Sequence, residues 1–378
     1  MALFLRQLGR EVVLIDEARF PRDKVCGESV SPEAWRILDA LGAAARVKQL
    51  RPHPIRGMTL TSPDGTTFSG GYGGRGRTGF GLRRDVFDRA LLECAREAGA
   101  DVREGVRAAS PLIEDDVVCG VRAENGNGPQ TLRARLVVGA DGRRSRVARG
   151  LGLLHEHRSL RKFAVRGHWD GMEGLGEQGE MHVTAAGYCG IAPLSPTRAN
   201  VAFVMDRRSM ACAGGDLEAF YRSRLRLWPR VLERLARARL LAPPRAVGPL
   251  AICASRVSGR GVVLAGDAAG FYDPFTGEGV TLALRSAELA SGVVARTLRS
   301  GSGDLSEYDR LRREATRAKF RLNHALQQVV AWPALGNAVA RRLARRKDLA
   351  DRLVGIAGDL VPAREALGAG FLLDLLRA

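Results

Sequence analysis

The sequence predicts a nucleotide-binding α/β domain made of separated segments, interrupted by a β-sheet domain and followed by a helical tail. Three observations carry this. Glu11-Val-Val-Leu-Ile-Asp16 is a continuous apolar run closed by an acid, the pattern of a fully buried strand. Gly261 to Val280 reads as a strand, a tight loop and a glycine-rich helix entry. From about 160 to 249 the texture changes to alternating strands, such as Tyr188 to Pro193 and Asn200 to Met205.

Along the chain, residues 1–9 have the pattern of the second half of a helix stopped by Gly9. After the strand ending at Asp16, a loop from Glu17 to Gly27 leads to a helix started by Ser31-Pro32-Glu33, with proline in its first turn. Strand-like pieces run from Gly57 to Phe68, and the glycine-rich Gly70 to Arg77 reads as a flexible connection between strands. Asp85 to Ala98 has helical spacing (Phe87, Leu91, Leu92, Ala95), Asp101 to Val106 is a strand, and Leu136 to Ala140 is a short buried strand before Asp141-Gly142. A single helix is expected from Leu217 to Leu240. The loop Gly266 to Gly279 precedes a helix from Val280 to about Leu298, and the remaining 78 residues are arginine-rich and helical by periodicity.

Composition bounds the function. The 378 residues carry 59 basic and 41 acidic side chains, a net charge of +18, with 45% hydrophobic residues. That excludes a disordered chain and supplies a substantial core. Only five of the basic residues are lysine, so the excess is arginine; it favours anionic cofactors or lipid headgroups over nucleic acid as partners. Six scattered cysteines without a Cys-x-x-Cys pair indicate neither a disulfide framework nor a zinc site, and make a reducing cytoplasm the expected compartment. His155 and His157 lack a third ligand. The uncharged run Leu322 to Ala340 is too polar to span a bilayer, but beside the basic run Arg341 to Lys347 it offers a peripheral membrane contact.

The residues with chemical potential cluster in four segments. An acid at the end of a buried strand, Asp16, suits the ribose hydroxyls of an adenosine. Asp267, among small residues, suits a sugar-like hydroxyl or sits behind a diphosphate. Gly277 and Gly279 open a helix near Val280 whose N–H groups and positive dipole end would face an electron-rich acceptor. Lys24 either neutralises a diphosphate or is a solvated charge. Cys26 is either a thiol at a substrate face or a small residue before a tight turn.

The run Gly266-Asp-Ala-Ala-Gly-x-x-Asp-Pro-x-x-Gly-x-Gly279 resembles the ribityl-binding motif of flavoproteins with the para-hydroxybenzoate hydroxylase-like fold. That superfamily includes aromatic monooxygenases, flavin-dependent halogenases and geranylgeranyl reductases. Val138 to Ser145 is similar to its Asp-Gly motif, and Arg84-x-x-Phe-Asp88 to its helix entry. Pro21-Arg-Asp-Lys-Val-Cys-Gly-Glu-Ser-Val-Ser-Pro32 resembles the lysine–cysteine–glycine segment of the geranylgeranyl reductase family. The resemblance implies an FAD-binding Rossmann-like domain, an inserted β-sheet substrate domain and a helical C-terminal region. It implies FAD as cofactor, held by Asp16, Lys24, Arg84, Val106, Asp141, Gly142, Gly266, Asp267, Ala268, Pro274, Gly277, Glu278, Gly279 and Val280. NAD(P)H is the implied transient electron donor, since no second Gly-x-Gly-x-x-Gly fingerprint exists for it. Cys26 and Tyr188 are the candidates at the reacting face. The domain ranges that follow are 1–52, 83–158 and 250–300 for the FAD-binding part, 53–82 and 159–249 for the sheet, and 301–378 for the tail.

Two departures qualify the resemblance. The strand–Gly-x-Gly-x-x-Gly–helix motif belongs just before Asp16, and Met1 falls inside the helix that follows it, so the expectation is that the true start lies upstream. The Tyr-x-Trp-x-x-Pro segment of the reductases keeps Tyr188 and Pro193 but has Gly190 in place of tryptophan, which implies a roomier pocket. Reduction of carbon–carbon double bonds in a prenyl, lipid-like or polyketide substrate and hydroxylation of an aromatic or polyketide substrate both stay open. A flavin-free relic and a basic nucleic-acid-binding protein are the alternatives of another class, whereas halogenation is disfavoured because its Trp-x-Trp-x-x-Pro motif is missing.

Overall fold

In the computed structural model, described for all residues except 74–76, 158–159, 367, 369 and 372–378, two short parallel ladders carry the α/β part. Val13–Asp16 runs beside Asp101–Glu104, with Asp16 opposite Glu104. Val137–Gly139 runs beside Val262–Leu264. Val262, Val263, Leu264 and Val147 form the core between these strands and the helix Gly279–Ser300, which contributes Ala290, Val293 and Val294. Both strands were read from unbroken apolar runs, and Val263 and Leu264 are fully buried.

The first strand departs from expectation. It was expected to be fully buried, yet Val13 is 51% exposed. Among the described residues it pairs only with Asp101–Glu104, so its other edge has no ladder partner. An apolar run reports the burial a strand is built for; its actual burial depends on a neighbour elsewhere in the chain.

The sheet part is one eight-stranded sheet. Its long members are Lys162–Asp170, Arg198–Asp206, Gly187–Pro193 and Gln178–Thr184, joined in parallel to Gly57–Thr61 and then antiparallel to Thr67–Gly71. Alternation along the strands separates two faces. Val165, Trp169, Ile191, Val201 and Phe203 pack outward on Phe220, Tyr221 and Trp228. Ala164, Met181, Tyr188 and Val204 point the other way, onto Leu250 and Phe275 of the α/β part. The outward helix was expected to be continuous from Leu217 to Leu240. It is instead Leu217–Leu225, capped by Asp216, and Pro229–Arg234, and Arg239–Leu240 is a strand beside Trp169 and Asp170. Pro229 has no N–H to give a preceding carbonyl, so it opens a new helix.

The tail forms Ser306–Ala331, Pro333–Arg345 and Lys347–Ala357, broken at Trp332-Pro333 by the same rule. It docks on the edge strand Thr67–Gly71 through Phe68, Leu343, Leu349 and Ala350. A Cβ on Gly70 would stand 2.4 Å from the Ala350 carbonyl oxygen, so only glycine permits this approach. The tip of the glycine-rich connection (74–76), the 158/159 boundary and the end of the tail lie outside the described residues. No helix among the described residues is long and apolar enough to cross a membrane.

Phe203 is fully buried and stacks on Tyr221 and Trp228, with ring centroids 5.4 and 5.6 Å away. Phe203→Ala is expected to lower stability by about 3–5 kcal/mol in a denaturant titration, from lost burial and the cavity left behind.

Candidate active site

Asp16 sits where the first strand ends. Its carboxylate accepts from the Ala18 N–H at 2.9 Å and faces the Arg22 guanidinium at 3.6 Å. Arg22 also pairs with Asp88 at 2.9 Å. Arg84, one helical turn before Asp88, holds it with two hydrogen bonds of 2.8 Å. Burial pushes the Asp88 carboxyl up, but Arg84, Arg22 and Lys24 outweigh it and hold it below its ordinary value. Lys24 is the inner member of this group. Burial and then the charge of Arg84 lower its amine, against the opposing pull of Asp267 and Asp88. A Cβ on Gly142 would lie 3.9 Å from its Nζ. Lys24 therefore lies near the Asp-Gly segment and within the field of Asp267.

Asp267 stands on a 3-10 turn, Gly266–Ala269, that ends the strand Val262–Leu264. Gly266 turns the chain at φ +60°, and its N–H donates to Ser286 Oγ at 2.8 Å. The Asp267 carboxylate accepts no hydrogen bond from the described residues, although the charges of Lys24 and Arg143 both feel it. Farther on, Asp273 caps the turn Pro274–Thr276, and Gly277 reverses the chain at φ +71° into the helix Gly279–Ser300. The first N–H groups of that helix have no intrahelical acceptor and lie at its positive end.

These features fit FAD. A carboxylate free of protein donors suits the ribityl hydroxyls, and Lys24 suits an anionic phosphate. Left-handed turns at Gly142, Gly266 and Gly277 keep side chains out of the way, and the helix start suits the electron-rich edge of the ring.

The other residues singled out from the sequence have varied positions. Asp141 accepts from Ser145 Oγ at 2.5 Å and from the N–H groups of Arg146 and Val147 at 2.7 and 3.2 Å, so its carboxylate caps the helix Arg146–Gly150. Val106 is buried, and its N–H supports Asp16 by donating to the Asp16 carbonyl at 2.9 Å. Ala268 is fully buried, and Pro274 opens the turn before the helix. Glu278 is buried and accepts from Lys319 at 3.0 Å and the Thr276 hydroxyl at 2.9 Å, which ties the tail to the loop. Val280 packs with Phe87 and Ala287. The Tyr188 hydroxyl is buried and donates to Asp273 at 2.5 Å; burial, then the Asp273 charge, push its pKa well up, so it keeps its proton. Cys26 is partly buried beside Arg84; its Sγ accepts from the Glu28 N–H at 3.4 Å, and its carbonyl from Asn200 at 2.8 Å.

Sequence reading passed over Glu28, Arg166, His168, Asn200 and Lys162. Lys162 lies 3.5 Å from Asp273, with its Nζ 5.6 Å from the centre of the Tyr188 ring. A signal existed: along Lys162–Asp170 the residues Lys162, Arg166 and His168 recur with period two opposite Val165 and Trp169, placing charge on a face with buried apolar neighbours.

The glycine turns, the free acid and the inserted sheet define the class: a flavoenzyme of the para-hydroxybenzoate hydroxylase-like fold. Residues 1–322 match the family model described as FAD binding domain, and the chain belongs to that family. It is an FAD-dependent oxidoreductase. It is 27% identical over 342 residues to the digeranylgeranylglycerophospholipid reductase of Methanocella arvoryzae, covering 85% of this chain and 81% of the relative. It is 27% identical over 372 residues to the menaquinone reductase of Mycolicibacterium smegmatis, covering 91% and 80%. The fold superposes on the flavin-dependent halogenase CmlS with a TM-score of 0.83 at 22% identity, over 100% of this chain and 74% of the halogenase.

Two outcomes follow. Asp267→Asn is expected to weaken FAD binding about tenfold or more in a fluorescence-quenching titration, since hydrogen bonds to a charged acceptor contribute roughly 1.5–3 kcal/mol. Asp88→Asn is expected to cost about 3 kcal/mol of stability at neutral pH by stranding its buried cation partners. Because the folded Asp88 carboxyl titrates below its unfolded value, near ~3.9, its contribution is full above that value and fades as pH falls through the folded one. Melting curves of the two proteins should therefore converge in acid.

Proposed function

We propose that this enzyme reduces carbon–carbon double bonds of a prenyl or other lipid-like substrate, with NAD(P)H or a reduced carrier as electron source. The observation that supports it is the loop carrying Lys24 and Cys26, held to the inner face of the sheet by the Asn200 amide, which donates to the Cys26 carbonyl at 2.8 Å. Gly190 lies between Met181 and Ala202 on neighbouring strands, and a Cβ there would meet nothing nearer than the Met181 methyl at 3.5 Å. Ala164, Val204, Leu250 and Phe275 make one part of that face apolar, beside the charged row of Lys162, Arg166 and His168. A hydrocarbon chain suits the apolar part. The two curated relatives are named as reductases, one of a phospholipid bearing geranylgeranyl groups and one of a quinone.

Bound FAD would supply the hydride chemistry. The chain's own residues do the rest. Asp267 and Lys24 would hold the cofactor's sugar and charge, and the N–H groups at Gly279 and Val280 would stabilise negative charge on its ring. The apolar part of the sheet face excludes water. Cys26 Sγ stands beside Arg84 at the substrate side. Contact with lipid is through the corner between the tail helices, where Trp332 is 66% and Leu335 42% exposed beside the basic run Arg341 to Lys347.

The test is anaerobic turnover of a geranylgeranyl lipid by the chemically reduced, FAD-loaded protein, followed by mass spectrometry. A gain of two hydrogens per double bond without oxygen is the expected result; oxygen uptake matched to a hydroxylated product would overturn it in favour of monooxygenation. Trp332→Ser is expected to reduce co-sedimentation with anionic vesicles.

A further inference from the structure

Glu28 is buried to 1% exposure and holds its backbone at φ +59°, a region that side chains other than glycine, asparagine and aspartate rarely adopt. A buried carboxylate persists only if its oxygens are satisfied. One oxygen accepts from the Arg84 backbone N–H at 2.9 Å; the other accepts from His168 Nε2 at 2.6 Å and Asn200 Nδ2 at 3.0 Å. Arg166, itself 2% exposed, donates to His168 Nδ1 at 3.0 Å. Guanidinium groups only donate, so Nδ1 accepts and the ring directs its hydrogen from Nε2 to Glu28. Arg166 is anchored in turn by Asp23, which Arg245 also holds at 3.0 Å.

His168, Asn200 and Arg166 belong to the sheet, on neighbouring strands with His168 directly opposite Asn200. Glu28 and Asp23 flank the segment that carries Lys24 and Cys26. The same amide of Asn200 reaches both the Cys26 carbonyl, at 2.8 Å, and Glu28. The sheet therefore grips the loop at both ends and in its middle.

We propose that Glu28 is a positioning residue: through His168 and Asn200 it fixes the Cys26 thiol beside Arg84, so the sheet that shapes the substrate cavity also sets the loop facing the flavin. The assignment rests on the FAD reading only for what Cys26 faces; the grip itself does not depend on it.

The test is the rate of Cys26 alkylation by iodoacetamide, read peptide by peptide by mass spectrometry on the full chain. Exposed Cys212 and Cys253 serve as references, and fully buried Cys189 as a reporter of general loosening. Glu28→Asn suits the left-handed backbone while withdrawing the carboxylate. It is expected to raise the Cys26 rate about tenfold, with Cys189 still protected. His168→Phe, 140 residues away, is expected to match it, and the double variant to exceed neither, because the two act through one hold. An unchanged Cys26 rate in folded Glu28→Asn protein overturns the proposal. So does a rise in Cys189 alongside Cys26, or an unchanged rate in His168→Phe. If Glu28→Asn does not accumulate as folded protein, His168→Phe alone decides. Added FAD tests the cofactor reading separately: a wild type that takes up no FAD defeats that reading and leaves the labelling comparison intact.

Discussion

The cleft depends on one parallel pairing. Val137–Gly139 and Val262–Leu264 run side by side in register, and the Ala265 N–H continues the ladder to the Gly139 carbonyl at 2.9 Å. Because the strands are parallel, both chains leave the sheet at the same edge, where ligands of open α/β sheets bind. Gly142 and Asp267 arise there only a few residues past their strands. Gly139 makes the pairing tight: a Cβ would come within 2.7 Å of a Leu264 methyl. Any change that widened this pair would move the Asp-Gly turn away from the acid it works beside.

Charge is distributed around that edge with the same economy. The chain carries +18 overall, yet the cations nearest the cleft are matched: Arg22 and Arg84 share Asp88, and Lys24 lies between Asp88 and Asp267. Of the acids at this edge, Asp267 has charge partners but accepts no hydrogen bond from the described residues. A carboxylate whose oxygens lack protein donors is open to donors from outside the chain.

What was legible in the sequence divides along the range of the interactions. The turns at Gly266, Gly277 and Gly142 and the strand ending at Asp16 follow from a few adjacent residues and are where the pattern put them. The broken helix after Leu217 carried its own signal in Pro229, which periodicity alone overrode. Val13 was misjudged because exposure depends on a strand partner that local sequence cannot supply. The Glu28–His168 pair spans 140 residues, whereas the Asp141 cap joins residues four to six positions apart. Only the second lies within reach of local sequence.

The tail helix Ser306–Ala331 has a further consequence. Lys319 reaches Glu278, Asn323 reaches the Asp273 carbonyl, and Gln327 reaches Lys162 of the sheet. The three stand one helical turn apart on a single stripe, and Lys319 and Asn323 follow their loop partners by 41 and 50 positions. During synthesis the loop Asp273–Gly279 is complete long before its partners leave the ribosome. Asp273 and Glu278 therefore meet these tail partners only once the tail has been made, and this end of the cleft takes its final shape late.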